Sequence, residues 1–218
     1  IVKFGGRIVT AGFFSKVGIQ IDKILIGILL GSESLGIYTV AFQILKIPGK
    51  LVGRVFSSVF YSTMCKLQND EKNFFKLLNY SITCISIFAF LITALIITNA
   101  NGIVDLLGKT DWELTIGPIR IISLALFGFI ASKIFESAIT AKAALNKLNQ
   151  RRFIYAVLVS TGIIIGYKFG INAICLSLVL AIYFDLILIF NLVYDLLGNG
   201  LTLIAKNISK SFMLSLFS

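Results

Sequence analysis

Residues 74–99 read FFKLLNYSITCISIFAFLITALIITN, and no charged side chain interrupts the run after Lys76. A helix needs roughly 20 apolar residues to cross about 30 Å of hydrocarbon, and this stretch is long enough to do so. Comparable runs recur on both sides of it: Phe4–Leu30, Leu35–Thr63, Leu114–Ala141, Phe153–Phe169 and Ile171–Leu197. The 218 residues are 57% hydrophobic and 14% charged, where a soluble domain has roughly 45–50% and about 25%. Water is therefore not the main solvent of this chain. The expected fold is an all-α integral membrane protein with six transmembrane helices at about 4–30, 35–63, 74–99, 114–141, 153–169 and 171–197. Together they form one unit over residues 1–198, and the start of a further helix is expected over 199–218. The absence of an initial Met, and an apolar run still open at Ser218, read as a fragment of a longer protein.

The charges sort by side. Lys3, Arg7, Lys66, Lys72, Lys76, Lys142, Lys147, Arg151, Arg152, Lys206 and Lys210 fall in alternate connections, eleven basic residues against two, Lys109 and Lys168, on the other side. Lys and Arg accumulate in cytoplasmic loops, so the first helix is expected to start in the cytoplasm. The same rule accounts for the net charge of +10 without nucleic acid, since no basic patch interleaved with aromatics is present. Cys65, Cys84 and Cys175 stand far apart in odd number, which indicates neither a disulfide framework nor a zinc site. The chain has no His, which removes His-based acid–base catalysis. No catalytic residue, metal site or cofactor is expected.

Charge inside a bilayer is costly, about 2.5–3.5 kcal/mol at a helix centre on insertion scales, so intramembrane ionisable residues mark wet interiors or pairs. In the second segment Thr39, Gln43, Lys46, Lys50, Arg54, Ser57 and Tyr61 fall on one helical face, and Val40, Leu45, Val52 and Val59 fall off it. Lys46, Lys50 and Arg54 form a basic ladder around mid-helix, with Pro48 expected to kink the helix or loosen its bonds. The readings are a cation-lined cavity, or cations that snorkel to headgroups or pair with neighbouring acids. In the first segment Lys16 shares a face with Gln20 and Lys23, and Asp22 flanks it. Lys133 and Glu136, at i,i+3 spacing, are expected to pair with each other. Asp185 is nearly central in the last segment, where an isolated carboxylate must be protonated, paired with a lysine of another helix, or coupled to a cation.

The order of short motifs carries a resemblance. Asp22-Lys23-Ile24-Leu25-Ile26-Gly27, Leu30-Gly31, Leu35-Gly36-Ile37-Tyr38-Thr39-Val40-Ala41-Phe42, Arg54-Val55-Phe56, Leu67-Gln68-Asn69-Asp70 and Leu106-Leu107-Gly108 before Trp112 stand in the order of the Wzx-type polysaccharide translocases. The chain resembles the C-terminal half of such proteins, within the multidrug/oligosaccharidyl-lipid/polysaccharide exporter superfamily. It departs from them at Gln43, where a basic residue is frequent, and at Ser62, where Pro is.

The resemblance implies one six-helix lobe of a two-lobe, alternating-access flippase in a bacterial cytoplasmic (inner) membrane. The implied substrate is an undecaprenyl-diphosphate-linked oligosaccharide, with Lys16, Lys46, Lys50 and Arg54 holding the diphosphate. Asp22 and Asp185 are the candidates for ion coupling. The implied partners are membrane lipids, the missing N-terminal lobe of the same polypeptide and polysaccharide polymerase machinery. Two rival readings are a multidrug or metabolite exporter of the same superfamily, and an integral membrane glycosyltransferase using Asp111 and Glu113.

Overall fold

The computed structural model describes the backbone of residues 2–106, 110–142 and 145–197, and the side chains of 20–52, 59–106, 112–142, 148 and 150–193. The further helix expected over 199–218 lies outside the described residues. Among them every regular element is a helix: α1 Val2–Lys66, α2 Glu71–Thr98, α3 Ala100–Leu106, α4 Ile116–Ser123, α5 Leu126–Ala141, α6 Leu145–Gly166 and α7 Ile171–Leu197. Short 3₁₀ turns occupy Thr110–Thr115 and Tyr167–Phe169. Among the described residues four helical stretches are long and apolar enough to cross a membrane, and five if α4 and α5 count as one bent span. The protein is an all-α, multi-pass membrane protein.

The long α1 is a hairpin, not a rod. Gly31 has φ 83° and ψ 178°, a conformation closed to residues with a side chain, and separates arms 2–30 and 32–66. In a continuous helix Asp22 and Tyr38 would stand about 24 Å apart. Here the Tyr38 hydroxyl donates to Asp22 Oδ2 at 2.5 Å, so the arms lie side by side. The polar Ser32, Glu33 and Ser34 at the turn are exposed or half-buried. This matches the division expected between the first two segments. Gly170 repeats the device, with φ 86°, between α6 and α7. Pro48 sits inside the second arm, yet Gly31 is the non-helical residue of α1, so the kink expected at Pro48 does not interrupt the helical dihedrals.

The connections gather at two ends, as the alternation of charge requires. At one end Lys142 Nζ donates to the Gln68 carbonyl at 2.6 Å and lies 5.2 Å from the Phe74 ring centre. The α1–α2 turn and the end of α5 are therefore neighbours. Asp70 caps α2 there by accepting from the Asn73 amide at 3.1 Å. At the other end Arg120 Nη2 donates to Asn101 Oδ1 at 3.2 Å, and Gly117 of α4 abuts Asn172 of α7.

α5 is the centre of the core, packed against α1, α2 and α7. Leu126, Phe127, Ile130, Ala131, Ile134 and Phe135 are all buried. In lipid no hydrophobic force drives helices together, so close packing must do so. At Gly49 a Cβ would sit 2.8 Å from the Phe129 ring, and the missing side chain is what admits Phe129.

Two expected segments are corrected. The span expected unbroken over 114–141 is divided: α4 ends at Ser123, α5 starts at Leu126, and they meet at 44°. At the break the Ser123 hydroxyl takes the Arg120 carbonyl at 2.7 Å, and side chains of neighbouring helices take the Ser123 and Leu124 carbonyls. The fifth span starts at Leu145, not Phe153. Asn146 to Arg152 lack the hydropathy that marks a span but nothing stops them from being helical, which makes Arg151 a helical residue instead of a loop cation.

Candidate functional site

The second arm of α1 presents three faces. Tyr38, Ala41, Leu45 and Gly49 are buried against the rest of the lobe. Ile47, Leu51 and Val59 are exposed and apolar, as lipid contact requires. Between them lies the polar face, with Thr39 and Lys46 half-buried and Gln43 and Lys50 exposed. Lys46 Nζ lies 4.4 Å from the centre of the Phe42 ring one turn below it. On α5 the arrangement repeats, with Lys133 Nζ 4.5 Å from the Phe129 ring centre. The two rings meet edge to face at 6.4 Å. Each Phe–Lys pair is an i,i+4 step, so the helix period stacks ammonium over ring and ring contact joins the helices.

The result is a cationic seam between α1 and α5. Lys23, Lys50 and Lys133, and the carboxylate of Asp22 with the opposite sign, all stand within electrostatic range of Lys46. Among the described residues none of Lys46, Lys50 and Lys133 pairs with a carboxylate. Like charges gathered on a lobe with an apolar exterior are unfavourable unless water or an anion offsets them. The pairing expected between Lys133 and Glu136 does not form. Lys133 turns back over Phe129, and Glu136 is taken by Arg151, whose planar fork suits a carboxylate better than an ammonium does. Lys133 therefore joins the seam, although its i,i+3 spacing to an acid had assigned it elsewhere. Of the expected anion-binding residues, Lys46 and Lys50 lie together; the side chains of Lys16 and Arg54 lie outside the described residues.

Asp22 and Asp185 belong to a second, interior arrangement. Asp22 is 8% exposed, accepts from Tyr38 and has no hydrogen-bond partner on Oδ1. Asp185 of α7 is equally buried, and its Oδ2 lies 3.3 Å from Arg151 Nη1 of α6. The expected partner for Asp185 was a lysine of another helix; it is an arginine. Arg151 Nη2 also pairs with Glu136 of α5, and Arg152 Nη2 approaches the same carboxylate at 3.6 Å. Tyr155 lies within electrostatic range of Asp22 on one side and of Asp185 and Arg151 on the other. Arg151, 6% exposed, is the residue sequence reasoning missed. The signal available was Asp185 itself, a mid-span acid that needs a cation at its own depth. Among the described residues no three of His, Cys, Asp and Glu converge as metal ligands.

Residues 1–117, which include the hairpin and its half of the seam, match the family model described as polysaccharide biosynthesis protein. The chain belongs to the polysaccharide biosynthesis protein family. Within it, the chain is similar to the teichuronic acid biosynthesis protein TuaB of Bacillus subtilis (strain 168), at 35% identity over 63 residues. That stretch is 29% of this chain and 13% of the relative. The chain is thus a multi-pass member of a polysaccharide biosynthesis family.

Proposed function

We propose that the chain is one lobe of a flippase that carries an undecaprenyl-diphosphate-linked oligosaccharide across the bacterial cytoplasmic membrane. The observation that carries this reading is the seam of Lys46, Lys50 and Lys133, which form no salt bridge among the described residues and stand beside the exposed apolar Ile47 and Leu51. Such a seam fits a diphosphate, which lysines neutralise as point charges without metal. The sugar and diphosphate follow the polar face while the lipid tail stays in the bilayer.

The two arms of α1, α2, the bent α4–α5 pair, α6 and α7 then make six crossings. The end bearing Lys142 faces the cytoplasm, and a second lobe of the same polypeptide closes the cavity over the seam. By sequence, Lys16 and Arg54 are further candidates to hold the diphosphate, and Asp22 and Asp185 couple transport to an ion. The chain performs no bond-making chemistry in this reading. A cationic-drug exporter of the same superfamily is disfavoured by the sign of the seam. Glycosyl transfer is disfavoured by Glu113, which stands exposed on a short 3₁₀ turn without a catalytic domain around it.

In the full-length protein, Lys46→Gln, Lys50→Gln and Arg54→Gln should each reduce export of the lipid-linked glycan while membrane insertion is unchanged. Arg54→Lys should recover part of the loss if charge alone matters. Full complementation of a transporter-null strain by all three Gln variants at low expression would refute the proposal.

A further inference from the structure

Between α4 and α5 the chain turns by 44°, at a point where the Ser123 hydroxyl donates to the Arg120 carbonyl at 2.7 Å. Sharp kinks usually trace to Pro, to Gly/Ser pairs, to a bulge or to a side chain that intrudes on the backbone ladder. From Ile119 to Phe127 there is neither Pro nor Gly. The corner is instead tightened by two i→i−3 bonds, Leu124 N to Ile121 O at 3.2 Å and Ala125 N to Ile122 O at 2.9 Å. Its outward carbonyls are taken by side chains of other helices. Tyr183 of α7 donates to the Leu124 carbonyl at 2.8 Å, and Thr93 of α2 donates to the Ser123 carbonyl at 3.2 Å. Thr93 and Ser123 are buried, whereas the Tyr183–Leu124 bond lies at the exposed surface of the lobe.

Two states of this segment therefore compete. Leu, Ala and Ile are acceptable to good helix formers, so the local sequence favours a continuous helix, with the amides of Phe127 and Gly128 as partners for the two carbonyls. The bent state is selected by the two hydroxyls. A short 3₁₀ stretch inside a helix is a common form for a hinge. α5 is buried along most of its length, and α4 is a short arm, packed on α1, α2 and α7, that reaches toward the end of the lobe marked by Asn101 and Asn172. Phe129 and Lys133, the α5 half of the seam, begin one turn beyond the corner.

We propose that the α4–α5 corner is a hinge latched by Tyr183 and Thr93, and that α4 is the gate it moves at one end of the cationic seam. Over the eight residues of α4, at 1.5 Å each, straightening a 44° bend carries its far end by roughly 9 Å. Tyr183 and Thr93 act through the backbone and are positioning residues. The hinge does not depend on which substrate follows the seam.

The test uses the full-length protein in lipid nanodiscs, with Cys65, Cys84 and Cys175 replaced by Ala and spin labels at the exposed positions Leu114 and Leu176. The parent should give one distance. Tyr183→Phe, which keeps the ring and loses the hydroxyl, should add a second population displaced by several Å, up to about 9 Å for full straightening. The near-isosteric Thr93→Val should do the same, and the double variant should favour the second population. Unchanged distributions in both single variants and the double would overturn the proposal. So would equal broadening at a control pair on Leu91 and Leu176, because that is general loosening and not a hinge.

Discussion

Replacing Arg151 with Met removes a buried cation shared by two carboxylates. Arg151 is 6% exposed and Asp185 11% at the side chain, so solvent screens their contact little. At 3.3 Å and an effective dielectric of about 20, their attraction is roughly 5 kcal/mol before desolvation is subtracted. Removing one member of a buried pair leaves the other uncompensated, which costs about 3–5 kcal/mol. Met matches the length of the Arg stem, so lost packing adds little. Arg152 makes a contrasting control: it is 55% exposed and 3.6 Å from Glu136, and a surface pair is worth under about 1 kcal/mol. The assay is reversible SDS unfolding of the purified full-length protein in mixed micelles, followed by tryptophan fluorescence or circular dichroism. Arg151→Met should lower stability by about 3–5 kcal/mol and Arg152→Gln by less than about 1 kcal/mol. The triple variant Arg151→Met, Glu136→Gln, Asp185→Asn should regain most of the loss. An Arg151→Met protein as stable as the parent, or a triple variant no better than the single, would refute the reasoning.

Gly31→Ala should destabilise the protein by about 1–3 kcal/mol through backbone strain alone, since nothing lies within 4 Å of the added Cβ. Gly36→Ala, in equally open space but with helical dihedrals, should be near neutral in the same unfolding assay. The Asp70 carboxyl is held below its ordinary 3.8 chiefly by the backbone bond from Asn73. Its cap is therefore intact above that ordinary value and is lost as pH falls through the lowered one. Hydrogen exchange at the start of α2 should show protection lost on acidification in the parent, and no such pH dependence in Asp70→Asn. Cysteines introduced at Ser34 or Glu113 should react with an impermeant thiol reagent in intact cells and one at Lys72 should not; the opposite pattern would invert the topology.

The long apolar helices were legible because the length and hydropathy of a run are properties of the chain itself. The hairpin could be drawn at Ser32-Glu33-Ser34 for the same reason, and the structure places its turn one residue earlier, at the glycine that alone tolerates it. The basic face of α1 was legible from helical period. Its completion by Lys133 was not, because i,i+3 spacing offers Glu136 as a local partner and gives no sign of an arginine from another helix. Arg151 was hidden by its neighbours: Lys147, Asn149, Gln150 and Arg152 read as a loop, although a helix tolerates them all. The break at Leu124–Ala125 was not legible, because Ser123 is a weak local signal and the Tyr183 and Thr93 hydroxyls that bond its carbonyls are remote in sequence. Tertiary hydrogen bonds of this kind are absent from any local pattern.

The account rests on the seam as the path of an anionic headgroup, and flipping in a purified system tests it most directly. The full-length protein would be reconstituted into liposomes loaded in one leaflet with an undecaprenyl-diphosphate-linked oligosaccharide, and arrival in the other leaflet read with an impermeant glycosidase. The parent should translocate the lipid, and Lys46→Gln/Lys50→Gln/Lys133→Gln should lose at least 10-fold in initial rate, equivalent to about 1.4 kcal/mol, while remaining folded. Translocation by the triple variant at the parental rate would contradict the central claim.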